Sequence, residues 1–187
     1  MKFNIIYVDC PWEFSDKLKC GNRGSSLKYG ELTFTDLKNL PIDKIAAADC
    51  ALCLWCPAAL LDKGIELIGE WGFEYKTILF NWVKLTRKHA KLYFGMGHYS
   101  RGGSEFCLLG ICGKPKVVCK SVYQVQFDSV GEQHSHKPDK IRKQIVRLFG
   151  DVARIELFAR QRYDGWLCLG DAITGNDMRD DLCNILY

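Results

Sequence analysis

The stretch Phe3-Asn4-Ile5-Ile6-Tyr7-Val8-Asp9-Cys10-Pro11-Trp12 decides how this chain is read. Residues 3–8 are apolar on both alternating faces, as in an interior strand of a sheet covered on both sides. The strand runs straight into a carboxylate, a ring-stiffened turn and an indole read as exposed. Ligands of open α/β sheets bind outside the carboxyl ends of the strands. Asp9 to Trp12 therefore stand where a flat, amine-bearing ring can be held.

Outward from this point, strand and helix patterns alternate. Thr33 to Leu40 reads as a short helix. Residues 50–56 form a second buried strand, and Pro57 fits the first turn of a helix in which Leu61, Ile65 and Ile68 recur at helical spacing. Phe73 to Lys84 and Phe106 to Ile111 read as strands, and Val117-Val118 with Val122 to Phe127 as a small additional ribbon. Residues 138–149 carry helix grammar: Pro138 near the start, Asp139 in the first turn, an apolar stripe of Ile141, Ile145 and Leu148, and Gly150 as the stop. Val152 to Phe158 and Trp166 to Leu169 are further strands, the last ending at Gly170-Asp171. This alternation predicts an α/β fold with a mostly parallel central sheet and helices on both faces.

The chain has 187 residues, 48% of them hydrophobic. That suffices for one well-filled core, and with no Pro-, Gly- or Ser-rich linker in sight residues 1–187 read as a single domain. Two long basic loops stand out, near 13–33 (Lys17, Lys19, Arg23, Lys28) and 86–103 (Arg87, Lys88, His89, Lys91, His98, Arg101). Loops of this length are usually lids or binding loops. With a formal charge of +4, the mild basic excess is compatible with a polyanionic partner.

The ten cysteines read as reduced and mostly buried in a cytoplasmic protein, because Met1-Lys2 leads directly into a strand-like segment and no apolar stretch reaches membrane-spanning length. Cys50, Cys53 and Cys56 have a spacing that can belong to a metal site. Strand alternation would turn Cys53 away from the other two, so no ligand set follows and no metal is expected. The chain also lacks a Gly-x-Gly-x-x-Gly fingerprint and a phosphate loop, which disfavours nicotinamide and triphosphate chemistry.

Asp9-Cys10-Pro11-Trp12 resembles the Asp-Pro-Pro-Trp signature of the adenine N6-methyltransferases related to the eukaryotic mRNA adenosine methyltransferase. Tyr29-Gly30, Asn81-Trp82-Val83-Lys84 and Glu105 to Gly110 follow in family order. So do Ser135-His136-Lys137-Pro138-Asp139, Ile155 to Arg160, Gly165-Trp166 and Leu169-Gly170-Asp171. The resemblance implies a Rossmann-like class I methyltransferase fold with permuted motif order, the catalytic motif first and much of the S-adenosyl-L-methionine site near the C-terminus. It also implies direct transfer of a methyl group to the N6 amine of adenine.

The resemblance assigns roles residue by residue. Asp9 and the Cys10 carbonyl would each accept one N–H of the adenine amine, with Pro11 shaping the turn and Trp12 stacking on the base. For Trp12 a plain core aromatic is the competing reading. Tyr29, Gly30 and Lys84 would belong to the substrate side, to which the basic loop near 86–103 adds Arg101. Lys137 would pair with the carboxylate of the cofactor's methionine part, beside His136, while Arg160, Arg162 and Asp171 would line the rest of the cofactor site. Cys10, Gln161-Arg162-Tyr163 and Asp171 depart from the commoner family residues.

The partner implied is DNA, with the target adenine flipped out of a duplex. The short build resembles bacterial and phage members, which suggests bacterial or phage-infected host cytoplasm. RNA, or a catalytically silent nucleic-acid-binding subunit, is the alternative. Target choice would come from the basic loops, from a homodimer or from an accessory specificity subunit.

Overall fold

The computed structural model describes residues 1–12, 32–88, 91–97, 99–130 and 136–187. Tyr29, Gly30 and the basic stretch Lys17–Lys28 lie outside the described residues. Seven strands, β1 (Phe3–Val8), β2 (Ala46–Cys56), β3 (Glu74–Leu85), β4 (Ser104–Cys112), β5 (Val125–Ser129), β6 (Arg154–Leu157) and β7 (Leu167–Leu169), form one sheet. Their order is β5-β3-β4-β2-β1-β6-β7. The pairs β1–β2, β1–β6, β6–β7 and β3–β5 are parallel, while β4 runs against both β2 and β3. This is the largely parallel, mixed α/β arrangement expected, consistent with a class I methyltransferase-like topology.

The helices are α1 (Phe34–Lys38), α2 (Ile42–Ile45), α3 (Leu61–Glu70), α4 (Asp139–Phe149), α5 (Asp171–Thr174) and α6 (Met178–Leu186). Alternation along β2 sorts its side chains cleanly. Cys50, Leu52, Leu54 and Cys56 join one core with residues of α1, α2, α3 and α6. Ala51, Cys53 and Trp55 join a second core on the other face, closed by Ile141, Ile145 and Phe149 of α4. Cys53 is thus turned away from Cys50 and Cys56 as its strand position requires. Among the described residues no cluster of His, Cys, Asp or Glu could hold a metal. No helix among them is long and apolar enough to cross a membrane.

Local grammar accounts for the helix ends. Thr33 and Asp36 form a reciprocal capping box at the start of α1, satisfying amides that have no partner inside the helix. In α3 two of the three expected positions hold: Ile68 is buried and Leu61 packs against the core, but Ile65 is 37% exposed and Gly64 and Leu67 face the sheet in its place. A Cβ on Gly64 would lie 2.6 Å from the Cys56 sulfur and 2.9 Å from Leu108 Cδ1, so the helix backbone itself rests on β2 and β4 at that point. In α4 the stripe is Ile141, Ile145 and Phe149, with Leu148 only partly buried.

One expectation at the sheet edge is corrected, and two C-terminal helices are added. The segment after Val122 does not form a separate ribbon. It becomes β5, the outer strand beside β3, while Val118 donates its amide to the Leu148 carbonyl at 2.8 Å. The C-terminal α5 and α6 had no counterpart in the sequence reading. Asp177 caps α6, whose Met178 and Leu182 fill the first core.

Candidate active site

The chain leaves β1 toward β2 on one side and leaves β6 toward β7 on the other. Adjacent parallel strands whose connections depart in opposite directions open a crevice at their carboxyl ends, the usual ligand position in such sheets. Asp9 follows β1 here, and Phe158 to Arg160 follow β6. The turn after β6 is tight. Phe158 has a φ of 59°, a left-handed conformation that costs a bulky residue free energy and clusters at functional sites. The Ala159 amide donates to the Leu169 carbonyl at 2.8 Å, and a Cβ on Gly170 would collide with the Ala159 carbonyl oxygen. The end of β7 thereby holds the strained turn in place.

Lys137 completes the crevice from the N-terminal side of α4. Its ammonium donates to Asp9 Oδ2 at 2.8 Å and stands 3.3 Å from Glu105 Oε2. It also lies 5.6 Å from the Trp55 ring centroid. Lys84, at the end of β3, donates to the other oxygen of Glu105. Two lysines and two carboxylates therefore form one chain of ion pairs: Asp9, Lys137, Glu105, Lys84. Glu105 was not singled out as a site residue, although its segment was recognised. Because β4 is antiparallel, its beginning lies beside the ends of β2 and β3, with Phe106 opposite Cys56 and Glu105 opposite Trp82.

These contacts set the charges. Burial disfavours the Lys137 ammonium, but Asp9 and Glu105 outweigh it and hold its pKa above the ordinary lysine value. Burial pushes Glu105 up, but Lys137 and Lys84 prevail and hold it below the ordinary carboxylate value. A raised lysine contributes stability that is complete below its unfolded pKa and lost as pH rises through the folded one. A depressed carboxylate contributes stability present above its unfolded pKa and lost as pH falls through the folded one. Glu105→Gln is accordingly expected to flatten the acid limb of the stability–pH curve, read as urea midpoints across an acid series. An unchanged acid limb would contradict the assignment.

Behind Asp9 sits a second polar cluster. Arg142 of α4 is buried and holds Glu156 of β6 in a two-bond pair at 2.7 and 2.5 Å. Its guanidinium lies 3.6 Å from the Tyr163 ring centroid and 5.1 Å from that of Tyr7. Asp139 accepts from the Tyr163 hydroxyl at 2.8 Å and from Arg142 at 3.3 Å, and lies 3.2 Å from His136 Nε2. Burial pushes the Glu156 carboxyl up while the guanidinium pulls it down. With both oxygens engaged, the ion pair is the form the geometry supports. Glu156 is thus engaged in the fold by Arg142, and neither Arg142 nor Tyr163 is among the site residues that the sequence singles out.

The crevice brings together Asp9, His136, Lys137 and Arg160, with Tyr7, Glu156, Phe158, Gln161 and Tyr163. A larger hollow, lined by Lys2, Ala46 to Ala48 and Phe73 among others, lies at the opposite end of the sheet, away from these charges. Arg162 and Asp171 are exposed outside the crevice. Asp171 opens α5, where its Oδ1 accepts from the Ala172 amide at 2.8 Å. Arg101 is exposed on the loop between β3 and β4, against Phe94.

Trp12 requires a correction. Its indole is buried, not exposed, because its ring belongs to the first core and its N–H donates to the Trp55 carbonyl at 2.9 Å. Trp55 in turn donates to the Tyr7 hydroxyl at 2.6 Å. Cys10 is buried as well, and desolvation pushes its thiol well above the ordinary value. It is no nucleophile under these conditions.

Residues 3–172 match MT-A70. The chain belongs to the MT-A70 family. The chemistry of MT-A70 proteins is S-adenosylmethionine-dependent methylation of adenine N6, and a nucleic-acid-binding methyltransferase fits that membership. This MT-A70 chain is 32% identical over 193 residues to the type II methyltransferase M.MunI of a Mycoplasma species, covering 94% of this chain and 79% of that one. It is 29% identical over 182 residues to the N(6)-adenosine-methyltransferase catalytic subunit METTL3 of Homo sapiens, covering 96% of this chain but 30% of that protein. An MT-A70-like N(6)-adenosine-methyltransferase of Drosophila melanogaster is 27% identical over 177 residues, with 93% of this chain and 27% of that one aligned.

Proposed function

We propose that this chain transfers a methyl group from S-adenosylmethionine to the N6 amine of adenine in a nucleic acid, DNA or RNA. One observation carries the reading: Asp9 and Lys137, separated by 128 positions, meet at 2.8 Å in the crevice where the strand connections diverge. The charges lining that crevice suit the cofactor. A zwitterionic sulfonium needs a cation for its carboxylate and anions near its positive centres, and Lys137 and Asp9 stand side by side there. When bound, S-adenosylmethionine supplies an electrophilic methyl group.

The chain's own residues have the following work. Lys137, with Arg160 on the adjoining wall, binds and orients the carboxylate end of the cofactor. Asp9 accepts one N–H of the adenine amine and the Cys10 carbonyl accepts the other. Adenine's exocyclic lone pair is delocalised into its ring, and acceptors on both hydrogens favour a geometry that releases it for in-line attack. The proton leaves after transfer, so Asp9 need not be a strong base. Trp12, buried beneath this turn, fixes the backbone that presents Asp9 and Cys10 by bonding to β2.

Among the described residues Lys137 meets two carboxylates, Asp9 and Glu105. A cofactor carboxylate entering this cluster competes with Asp9 for the ammonium, and giving up that contact frees Asp9 toward the amine. Lys137→Ala is expected to weaken cofactor binding by about 10- to 100-fold, the loss of one charged hydrogen bond of roughly 1.5–3 kcal/mol. Isothermal titration with S-adenosylmethionine reads it, and an unaltered affinity would remove Lys137 from the cofactor side.

The choice between nucleic acids is open to direct assay. The sequence reading put DNA first. The relatives include a type II methyltransferase and several N(6)-adenosine-methyltransferases, which supports RNA at least equally. Incubation with labelled cofactor and separate DNA and RNA pools, followed by digestion to nucleosides, tests the proposal. Label in N6-methyladenine from either pool is expected. Label in cytosine, or in no base, would overturn it. A silent subunit would fail at titration with the cofactor.

A further inference from the structure

The outer face of α4 and the segment beside it form a second charged surface. Along α4 the stripe of Ile141, Ile145 and Phe149 is buried. Lys140, Lys143 and Arg147 recur at the three- and four-residue spacing that gathers side chains on one helix face, and this face is turned away from the stripe. Lys143 and Arg147 are exposed. Residues 117–128 run beside α4 in the opposite direction. The Val118 and Cys119 amides donate to the Leu148 carbonyl at 2.8 and 3.4 Å. At the other end, the Lys140 ammonium donates to the Phe127 carbonyl and lies 3.4 Å from Asp128 Oδ2. Lys116 and Lys120, both exposed, are thereby brought alongside the far end of the helix.

The charge on this face is one-sided. Every charged residue in 113–127 and in 140–150 is basic, although the whole chain carries 22 acidic residues against 26 basic ones. The carboxylates that border it are engaged: Asp128 pairs with Lys140, Asp139 with Arg142, Tyr163 and His136, and Asp151 with Arg154. The surface also has a direction. α4 begins at Asp139, just beyond Lys137 and the crevice, and leads away from both. Its 11 residues cover about 16 Å at about 1.5 Å each. That is roughly five steps of a nucleic-acid strand at about 3.4 Å each.

We propose that α4 and the segment before β5 form a phosphate-binding track that holds the nucleic-acid strand on one side of the target adenine. The inference rests on the methyltransferase reading and deepens it, because it fixes where the flanking strand runs. Cations on an exposed helix face meet phosphates without reading bases, so the track sets affinity and orientation and leaves sequence choice to other residues. A nucleic-acid strand leaving the crevice passes Lys140 first, one helical turn beyond Lys137, then Lys143, Arg147 and Lys120. Only a strand extended past the adenine on the side that faces α4 uses these cations. An anionic membrane is the competing occupant. A helix that lies on a membrane buries its apolar face there, and the apolar face of α4 is already spent on the second core.

The test uses the full chain and fluorescence anisotropy with single-stranded oligonucleotides: a short adenine-containing core, and the same core lengthened with pyrimidines on one side or the other. Lengthening on one side is expected to raise affinity by about 10-fold, and on the other side by much less. Lys120→Gln/Lys143→Gln should abolish that gain and flatten the slope of log affinity against log salt by about 0.7 per lost phosphate contact. Lys44→Gln, which removes an exposed charge from α2 on the first-core side, should keep the gain. In turnover, the double variant should raise KM for the long substrate alone. Its kcat, its KM for the short core and its S-adenosylmethionine affinity should match the wild type, a split that damage to the fold would not produce. An undiminished gain and salt slope in the double variant would overturn the proposal. So would equal gains from the two sides in the wild type. Unchanged oligonucleotide binding with lost binding to phosphatidylserine vesicles would also overturn it and make the face a membrane contact. A wild-type chain that shows the one-sided gain but labels no adenine would instead refute the methyltransferase reading and leave the track standing.

Discussion

Asp9→Ala is expected to lower methyl transfer by about 1,000-fold or more while leaving S-adenosylmethionine affinity within a few-fold of wild type. Removing one preorganised hydrogen-bonding group from a reaction centre costs roughly 100- to 1,000-fold. Asp9 is asked both to bind the amine and to free its lone pair, so the upper end applies. Cofactor binding should survive because Lys137 keeps a second anion: Glu105 lies 3.3 Å from its ammonium, and the cation is not stranded in the interior. Asp9→Asn retains one acceptor oxygen but loses the charge, and is expected to fall between the two. Single-turnover transfer of labelled methyl, paired with calorimetry, separates chemistry from binding. Full turnover in Asp9→Ala would end the proposed mechanism. A collapse of cofactor affinity with little loss of transfer rate at saturation would move Asp9 to the cofactor side.

The largest effect on stability is expected at Arg142. Its guanidinium and the Glu156 carboxylate are almost completely buried, 7% and 3% exposed as residues, and joined by two hydrogen bonds. Truncating one member leaves a buried charge without its partner, which costs about 3–5 kcal/mol. Arg142→Ala should shift the urea midpoint accordingly. Arg142→Lys should not rescue it, because an ammonium can neither make the paired fork nor stack on Tyr163. Replacing both members by apolar residues of similar volume, Arg142→Met with Glu156→Leu, should recover much of the loss. A loss below about 1 kcal/mol for Arg142→Ala would mean that water reaches the pair. The same cluster positions Asp139, His136 and Tyr163 beside Lys137, so reduced cofactor affinity should accompany the structural damage.

Much of this architecture was legible in the residue pattern. β1 matches its sequence bounds, and β2 is longer only at its start, where Ala46 to Asp49 carry no strong strand signal. Cys53 faces away from Cys50 and Cys56 because period-2 alternation is a property of any strand. The helix over 139–149 followed from its stripe and from Gly150. The failures have equally local causes. Ile65 was assigned to the buried side of α3 by spacing alone, but Gly64 lets the backbone touch the sheet and rotates the buried face. Trp12 looked exposed because it follows a strand end, and nothing in the chain's order reveals that Trp55 offers it a carbonyl. Of the helices after Gly170, α5 is a single turn with no stripe to read, whereas α6 has a legible one that the sequence reading leaves out: Asp177 as cap, then Met178, Leu182, Ile185 and Leu186 at helical spacing.

The sequence by itself determined the class of fold and the two motifs that matter, since a run of apolar residues ending in Asp9-Cys10-Pro11-Trp12 and a lysine before a helix start are local patterns. Only the tertiary structure decided that they meet. It also recruited Glu105 and Arg142, residues that no strand-end rule selects. Glu105 arrives because β4 runs antiparallel and delivers its beginning to the place where its neighbours end. Arg142 arrives because α4 packs across β1 and β6 and turns one polar position inward onto Glu156. Strand direction and helix rotation arise from packing between distant segments, and no local window of sequence contains them.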